Sequence, residues 1–144
     1  MTAVWRICRR PFADLSGEGA RLYGGRWNSP GRPLIYAAET AALAVLEVRV
    51  HLDLDWDTLP DDYVLASIDI GSLVPEQIDE LPSDPRAIGD EWIRSRTTAL
   101  LRVPSWIVPE SHNILINPAH PDASSIAPST IRPFAFDKRL WLPQ

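Results

Sequence analysis

A few polar residues stand in apolar or glycine-rich surroundings in the first third of the chain. Arg26 follows two glycines and precedes Trp27, so the backbone there can approach a ligand while the guanidinium binds a phosphate or carboxylate. Tyr36 ends an apolar run and offers both a ring for stacking and a hydroxyl. Taken alone, each also fits a plain role: a surface turn for the arginine and the core edge for the tyrosine.

Glu47 is the most informative position because its carboxylate lies within an apolar helical stripe. Leu43, Leu46 and Val50 share its face of the predicted helix, at spacings of three and four residues. Burying an unpaired carboxylate costs on the order of several kcal/mol, so we expect an arginine, a hydroxyl network or a ligand beside it. A structural ion pair is the alternative, with Arg26 as one candidate partner.

Three further polar residues are candidates with weaker signals. Arg6 lies in an opening apolar run and is a second candidate for an anion contact, although an exposed place on an edge strand fits equally. Ser105 and Asn117 each lie beside a proline next to a short β-like run, and both are also typical of turns. The histidines lack a metal-ligand spacing, and we assign surface or structural roles to all three: His51, His112 and His120.

The composition argues against several classes of protein. A net charge of −5 with scattered basic residues argues against direct nucleic-acid binding. Cys8 is the only cysteine, which favours a reducing cytoplasm and leaves neither an intrachain disulfide nor a zinc cluster. Apolar runs of signal-peptide or membrane-span length are missing, so we expect neither export nor membrane insertion. The dinucleotide-binding glycine fingerprint and the phosphate loop are missing too.

Short elements must position the candidate residues. Apolar runs and alternation predict strands over 4–7, 34–37, 63–70, 105–108, 114–116 and 134–136, with 63–70 half-buried. Helices are predicted from Ala41 to His51, capped by Thr40, and from Arg86 to about Leu101, ended by Pro104. These patterns indicate one α+β domain over residues 1–144, with strands dominating.

Two connecting segments bear on the site. The glycine-bearing stretch 11–25 is predicted to be an irregular loop, and long loops of this kind often form the walls of binding sites. Ser29-Pro30-Gly31 fits a type II turn, with the glycine where φ must be positive. The candidate arginine therefore lies between a predicted loop and a predicted turn.

Five short runs, taken in order, resemble the RES domain family. They are Tyr23–Asn28, Ile35–Tyr36, Ala44–Val48, Val103–Ser105 and Asn113–Pro121. Each run is short, but the similarity extends over nearly the whole chain. The family is named for an arginine, a glutamate and a serine, which here correspond to Arg26, Glu47 and Ser105.

The resemblance implies a fold like that of ADP-ribosyltransferase toxins, with short, mostly antiparallel strands and a few helices. It implies a cytoplasmic toxin of a type II toxin-antitoxin module that consumes NAD as its substrate, without a metal. Implied partners are an Xre-type helix-turn-helix antitoxin, a host protein target and a second copy of the chain in a homodimer. By position, the residues implied in the NAD pocket are Arg6, Arg26, Tyr36, Glu47, Ser105 and Asn117.

These side chains suit cleavage of the bond between nicotinamide and ribose. The leaving group is already cationic and departs neutral, so no general acid is needed. Glu47 would stabilise positive charge on the ribose, Tyr36 would pack on the nicotinamide, and Arg26 would hold phosphate or ribose oxygens. Water, phosphate or a protein nucleophile could capture the ribosyl cation, and the sequence leaves all three open. A catalytically inactive module that only pairs with an antitoxin is the alternative.

Overall fold

Strands dominate the chain, with short helices between them. The computed structural model describes residues 2–141. Within them, seven strands form one sheet: β1 (Thr2–Arg9), β2 (Ile35–Ala38), β3 (Tyr63–Gly71), β4 (Glu76–Gln77), β5 (Leu100–Pro104), β6 (His112–Ile116) and β7 (Ala127–Pro133). The α-helices of the same residues are α1 (Glu18–Tyr23), α2 (Ala41–His51) and α3 (Pro85–Ser95), and 3-10 turns cover 10–12, 56–58, 121–125 and 138–140. The predicted α+β class is confirmed.

The sheet consists of two well-paired halves joined at a narrow seam. Its order is β4-β5-β6-β2-β1-β3-β7, and neighbours are antiparallel except β4 and β5. β1 pairs with β3 from Thr2 to Arg9, and β2 pairs with β6 over its whole length. Between β1 and β2, however, the register holds a single pair, Trp5 opposite Ala38. The middle of the sheet is therefore its least continuous part.

The core is divided by the alternation of side chains along the strands. Ile35 and Ala37 of β2 enter one buried cluster, whereas Tyr36 and Ala38 point to the opposite face. On that opposite face, one cluster lies under α2 and contains Leu43, and another lies against α3 and contains Trp92. The two helices thus cover different halves of the same face and leave the seam between them.

Several predicted elements are confirmed to within about two residues at each end. The first two strands form, and α2 begins and ends as predicted. The hydroxyl of Thr40 accepts a hydrogen bond from the N–H of Leu43 at 3.1 Å, which caps α2. The predicted turn also forms, with Gly31 at φ 98°. The elements that flank the candidate tyrosine and glutamate were therefore recognisable.

The expectation of a half-buried strand over 63–70 is wrong in its burial. β3 forms there, but both of its faces are buried, since Val64 is 0% and Leu65 is 6% exposed. Ile68 packs into the cluster that contains Ile35, and Leu65 packs into the cluster under α2. Cover on both faces thus comes from tertiary packing that strand alternation does not reveal.

The predicted helix from Arg86 to Leu101 is too long. α3 ends at Ser95, and Arg96 adopts a left-handed backbone with φ 54°. A left-handed residue interrupts the helical hydrogen-bond ladder, so the apolar run that follows is free to form β5. Pro104 therefore ends a strand and not a helix.

The predicted last strand over 134–136 is also wrong, because the chain leaves the sheet at Pro133. β7 comes just before it, and every residue of β7 is exposed. Phe136 instead packs edge-to-face on Tyr63, with ring centroids 5.2 Å apart. The aromatic side chains close the cluster under α2 from one end.

The stretch 11–25 is not wholly irregular, because it contains α1. Glycines lie at both ends of this helix, where Gly17 has φ 70° and Gly24 has φ 72°. Such backbone conformations are open to glycine with little strain, so the two residues start and stop the helix.

No helix among residues 2–141 is long and apolar enough to cross a membrane.

Candidate active site

A cavity of about 600 Å³ opens at the seam of the sheet. β1 contributes Trp5–Ile7 to its wall, and β2 contributes Tyr36–Ala38. The remaining lining residues include Phe12, Gly19, Ala20, Tyr23–Trp27, Ala44, Glu47, Val48, His51, Leu52, Pro104, Trp106 and Asn113. A cavity of this size is in the usual range for small-molecule sites, about 300–1,000 Å³.

The sequence candidates divide into residues that line this cavity and residues that do not. Four of them line it: Arg6, Arg26, Tyr36 and Glu47. Ser105 and Asn117 are fully buried and lie outside the lining. The structure thus brings the two arginines, the tyrosine and the glutamate around one space.

Tyr36 anchors the glycine segment that carries Arg26. Its hydroxyl accepts a hydrogen bond from the N–H of Trp27 at 2.9 Å and donates one to the Oδ1 of Asn28 at 2.6 Å. A Cβ atom on Gly25 would lie 2.6 Å from the same hydroxyl oxygen. The segment therefore passes directly over the tyrosine, and only glycine allows this approach at position 25.

Burial keeps the Tyr36 hydroxyl protonated over a wide pH range. Desolvation raises the pKa of Tyr36 to about 12, although hydrogen bonds from the neighbouring segment act in the opposite direction. The hydroxyl is therefore a neutral donor to Asn28, and the ring is the part of Tyr36 available to a ligand.

Asn28 connects this anchor to the rest of the segment. It is 0% exposed, and its amide nitrogen donates to the carbonyl oxygens of Ala20 at 2.9 Å and Arg32 at 3.0 Å. One side chain thus joins α1, the Arg26 segment and the turn that follows. Since an unpaired buried amide is costly, this network stabilises one conformation of the segment.

α3 supports the same segment from outside the cavity. The guanidinium of Arg86 donates to the carbonyl oxygen of Gly25 at 3.2 Å and 3.3 Å. The carboxylate of Asp90 accepts hydrogen bonds from the backbone N–H and the hydroxyl of Ser29. Gly89 lies between these two contacts and faces the backbone of Trp27. The helix thereby fixes the height of the Arg26 segment above the sheet.

The guanidinium of Arg26 lies over an aromatic ring. Its guanidinium carbon lies 4.4 Å from the ring centroid of Trp106. Among residues 2–141, no carboxylate lies within ion-pairing distance of Arg26, so the structural ion pair with Glu47 considered as an alternative is wrong. The arginine is free to pair with an anion from outside the chain.

Glu47 is held through only one of its two carboxylate oxygens. Oε1 accepts hydrogen bonds from the hydroxyl of Ser105 at 2.7 Å and from the amide of Asn113 at 2.9 Å. Oε2 accepts no hydrogen bond from the described residues, and the Nε2 of His51 lies 3.9 Å from it. The side chain is 18% exposed. The carboxylate is therefore held through Oε1 in a residue that lines the cavity, and Oε2 is left without a hydrogen bond from the described residues.

The face of α2 that meets the cavity differs from the predicted one. Ala44, Glu47, Val48 and His51 line the cavity at spacings of three and four residues. Val50, expected on the same face as the glutamate, is 56% exposed. The predicted hydroxyl network beside Glu47 is present, because Ser105 supplies it.

Ser105 lies behind Glu47, on the side away from the ligand space. Its hydroxyl donates to Glu47 and also accepts hydrogen bonds from the N–H groups of Ile107 and Val108, each at 3.1 Å. These bonds form a turn, so the strand predicted over 105–108 is wrong. Ser105 thus contacts the carboxylate and not the cavity.

Asn117 is remote from the carboxylate and takes part in the fold. Its amide nitrogen donates to the carbonyl oxygen of Ile93 at 3.4 Å, and its Oδ1 accepts from the N–H of Ala119 at 3.0 Å. The residue is 0% exposed and does not line the cavity, and its contact with NAD stays a prediction. It joins the end of β6 to α3.

Arg6 lies at the seam on β1. Its Nη1 donates to the carbonyl oxygen of Asp14 at 3.0 Å, which ties the strand to the following loop. The side chain is half-buried and lines the cavity. Part of its hydrogen-bonding capacity is therefore already used within the chain.

Sequence reasoning missed three residues of the site. Asn113 holds Glu47, Trp106 holds Arg26, and His51 lies beside the free carboxylate oxygen. His51 could have been found, since it follows Glu47 by four residues on a helix. Trp106 lies in the turn between β5 and β6 and Asn113 lies in β6, and only the tertiary fold brings them to the cavity.

Comparisons with known proteins identify a family for the chain. The RES domain family matches residues 3–137. A "Prs ADP-ribosylating toxin" of Sphingobium sp. (strain YBL2) is 43% identical over 156 residues, which cover 96% of this chain and 96% of that protein. An "NAD(+) phosphorylase MbcT" of Mycobacterium tuberculosis (strain ATCC 25618 / H37Rv) is 56% identical over 36 residues, 24% of this chain and 19% of that protein.

A solved structure has the same fold. The crystal structure of the M. tuberculosis MbcT-MbcA toxin-antitoxin complex is similar with a TM-score of 0.75 and 21% identity. The similarity covers 92% of this chain and 84% of that chain. The overall fold described above is therefore shared with that chain.

Proposed function

This chain belongs to the RES domain family, and we propose that it is a toxin that cleaves NAD and transfers the ADP-ribose to a host protein. The proposal depends on two side chains that line one cavity. Glu47 has one carboxylate oxygen without a hydrogen bond, and Arg26 has no acidic partner among residues 2–141. The names of the relatives support NAD as the substrate, since one denotes an ADP-ribosylating toxin and another an NAD phosphorylase.

Glu47 is the residue that we assign to the transition state. As the bond between the nicotinamide nitrogen and the ribose breaks, its electron pair leaves with nicotinamide and positive charge develops on the sugar. Ser105 and Asn113 donate hydrogen bonds to Oε1, which leaves Oε2 to accept a hydrogen bond from a ribose hydroxyl. A carboxylate fixed before the reaction stabilises the developing charge without reorganising, and this is the usual source of a large electrostatic effect.

The other lining residues bind the rest of NAD. We assign the pyrophosphate to Arg26, with Arg6 as a second cationic contact. Tyr36 offers its ring to the nicotinamide, because its hydroxyl is already bonded to the Arg26 segment. Ser105 enters as a residue that orients Glu47, and Asn117 has no assigned contact with NAD.

A protein acceptor fits the open side of the cavity. Tyr23 is 81% exposed and Phe12 is 46% exposed, and both line the cavity. An aromatic rim accessible to solvent allows a protein surface to approach the ribose. A relative that is 43% identical and covers 96% of this chain is named for ADP-ribosylation, whereas the phosphorylase match spans 24% of it. Transfer to a protein is therefore preferred to phosphorolysis or hydrolysis.

The proposal includes a paired antitoxin. A protein of the same fold was solved as a toxin-antitoxin complex, which supports a partner that restrains this chain. We expect an Xre-type helix-turn-helix antitoxin, action in the cytoplasm and a homodimer of single-domain chains. Co-expression with the candidate antitoxin should restore growth, and light scattering of the purified chain should give its oligomeric state.

The decisive experiment follows the ADP-ribose after NAD is cleaved. Purified chain is incubated with adenine-labelled NAD alone, with phosphate, and with cell extract, and all labelled products are identified. Transfer predicts a labelled protein band that appears only with extract. Free ADP-ribose as the sole product would indicate hydrolysis, ADP-ribose-1″-phosphate would indicate phosphorolysis, and intact NAD in every arm would overturn the enzymatic proposal in favour of an inactive interaction module.

Matched variants show whether the assigned residues perform the reaction. Glu47→Gln and Arg26→Ala should each lower kcat/KM for NAD by roughly 10²-fold to 10³-fold and abolish growth inhibition. Glu39→Gln and Arg94→Ala make the same chemical changes outside the cavity and should retain the wild-type rate. Wild-type NAD consumption by Glu47→Gln would refute the role given to this carboxylate.

A further inference from the structure

Arg26 keeps its position through an aromatic ring and not through an ion pair. Its guanidinium carbon lies 4.4 Å from the centroid of the Trp106 ring. Cations are attracted to an aromatic face within about 6 Å of its centroid. In the described part of the chain, the side chain of Arg26 donates no hydrogen bond and pairs with no carboxylate. The tryptophan is thus its main fixed neighbour.

Contact with the ring leaves the N–H donors of the guanidinium free to bind a ligand. The five N–H donors of an arginine lie in its plane and point outward from the edge, whereas an aromatic ring contacts the flat face. A carboxylate partner would have occupied two of these donors. Held by Trp106, the guanidinium of Arg26 can still bind an anion in a fork.

Trp106 is itself held in place. Its ring lies edge-to-face against Trp27, with centroids 6.1 Å apart and an interplanar angle of 71°. Trp27 is 3% exposed and neighbours Arg26 in the chain, whereas Trp106 is 37% exposed and lines the cavity. The ring under the guanidinium is therefore anchored to the core beside the very segment that carries Arg26.

The turn that carries Trp106 also orients the catalytic carboxylate. Ser105 directly precedes Trp106, donates to Glu47 and closes the turn by accepting two backbone hydrogen bonds. The residue that contacts Glu47 and the residue that contacts Arg26 are thus adjacent in the chain. The turn is therefore in contact with both Glu47, through Ser105, and Arg26, through Trp106.

We propose that Trp106 is a positioning residue that holds the Arg26 guanidinium in the orientation in which it binds the pyrophosphate of NAD. The inference rests on the proposed function, since it takes NAD as the ligand. Because the pyrophosphate does not change during the reaction, Trp106 affects the binding of NAD much more than the chemical step.

The first test separates binding from chemistry. Trp106→Leu keeps an apolar side chain but loses the π face, and it should raise the KM for NAD roughly 5-fold to 30-fold, the equivalent of about 1–2 kcal/mol. Its kcat should stay within about threefold of wild type, since the chemical step does not use the ring. Trp106→Phe restores an aromatic face and should recover most of the loss in KM.

A matched control comes from a second stacked pair outside the cavity. The guanidinium of Arg49 lies 4.0 Å from the ring centroid of Trp141. Trp141→Leu removes the same kind of contact, and the KM for NAD should not change. Thermal unfolding of each variant shows whether it is folded at the assay temperature, and Trp106→Met replaces Trp106→Leu if the latter is not.

A double-mutant cycle tests whether Trp106 acts through Arg26. In the Arg26→Ala background, Trp106→Leu should change kcat/KM by less than about twofold, because no guanidinium remains to be positioned. Additive losses, or a loss in kcat with unchanged KM, would overturn the inference. A wild-type chain that consumes no NAD would overturn the proposed function instead, so the two failures are distinguishable.

Discussion

Gly89 of α3 packs so closely on Trp27 that an added Cβ would lie 1.8 Å from its carbonyl oxygen. Real Cβ atoms do not approach an oxygen at this distance, so the absence of a side chain is required at position 89. Since Trp27 follows Arg26 directly, the glycine sets how deeply the arginine segment lies against the helix. A helix that lines no part of the cavity thereby determines the geometry of its wall.

Gly89→Ala should therefore damage both stability and activity. We expect the free energy of unfolding to fall by about 1–3 kcal/mol through overpacking, and kcat/KM for NAD to fall further as Arg26 is displaced. Gly19→Ala is the matched control for stability, because a Cβ there meets nothing within 4 Å. It should be neutral or stabilising by up to about 1 kcal/mol in urea denaturation. A stable Gly89→Ala chain would show that the segment can shift freely.

Removing the hydroxyl of Ser105 should reduce catalysis and stability together. In Ser105→Ala, Oε1 of Glu47 loses one of its two donors and the partly buried N–H groups of Ile107 and Val108 lose their acceptor. The expected loss in unfolding free energy is about 1–3 kcal/mol, with a fall in kcat at nearly unchanged KM. Calorimetry and steady-state kinetics measure the two effects.

Asn113→Ala serves as the comparison for the serine. It removes the other donor to Oε1 without opening the 105–108 turn, so kcat should fall while stability changes less. If both variants retain the wild-type kcat, the orientation of Glu47 does not limit the reaction.

Tyr36→Phe should destabilise the Arg26 segment while leaving the ring in place. The N–H of Trp27 and the Oδ1 of Asn28 would each lose a hydrogen-bond partner, at a cost of about 1–3 kcal/mol. We expect a lower unfolding temperature and a lower kcat/KM for NAD. An unaffected kcat/KM would mean that the ring alone suffices.

The same substitution should change the response to alkaline pH. The pKa of Tyr36 is raised by burial from 10.0 to about 12 in the folded chain. The folded state then retains a proton that the unfolded state releases, so its stabilising effect is complete below about pH 10 and is lost as the pH rises towards 12. Wild type should lose more unfolding free energy over this range than Tyr36→Phe. Parallel curves would contradict the buried, protonated hydroxyl.

Acid sensitivity should depend in part on Glu39, which precedes the cap of α2. Burial acts to raise the pKa of Glu39, but hydrogen bonds from Arg102 and His112 outweigh it, and the net pKa lies below the ordinary 4.5. A lowered pKa stabilises the fold above about pH 4.5, and this contribution is lost as the pH falls through the folded value. In acid titrations followed by circular dichroism, Glu39→Gln should lose less stability than wild type below pH 4.5.

Local signals in the sequence were sufficient for the strand and helix that carry Tyr36 and Glu47. Thr40 predicts the start of α2. The carboxylate of Glu47 within an apolar stripe predicts a polar partner, and the structure shows that this partner is Ser105. The end of α3 was missed because nothing in the local pattern requires Arg96 to be left-handed. Such a conformation is selected by the strand that follows it in the folded chain.

Contacts between distant segments could not be derived from spacing. Trp106 was passed over because its partner, Arg26, is 80 positions away and meets it only after the sheet has formed. Asn117 was assigned to the ligand, but its amide completes backbone hydrogen bonds at the end of β6. The side-chain type of Asn117 is compatible with a turn and with a ligand contact, and only the folded chain shows which backbone groups it bonds.

The single register pair between Trp5 and Ala38 gives a ligand an effect beyond catalysis. A ligand that contacts both β1 and β2 spans the seam, where the two halves of the sheet share the fewest backbone pairings. Its contacts therefore link the two halves. Opening of one half then requires loss of the ligand, so both halves open at a common rate. Amide hydrogen exchange should therefore slow on both sides of the seam when NAD or ADP-ribose is bound. Ligand binding would then be detected as slower exchange across the whole sheet.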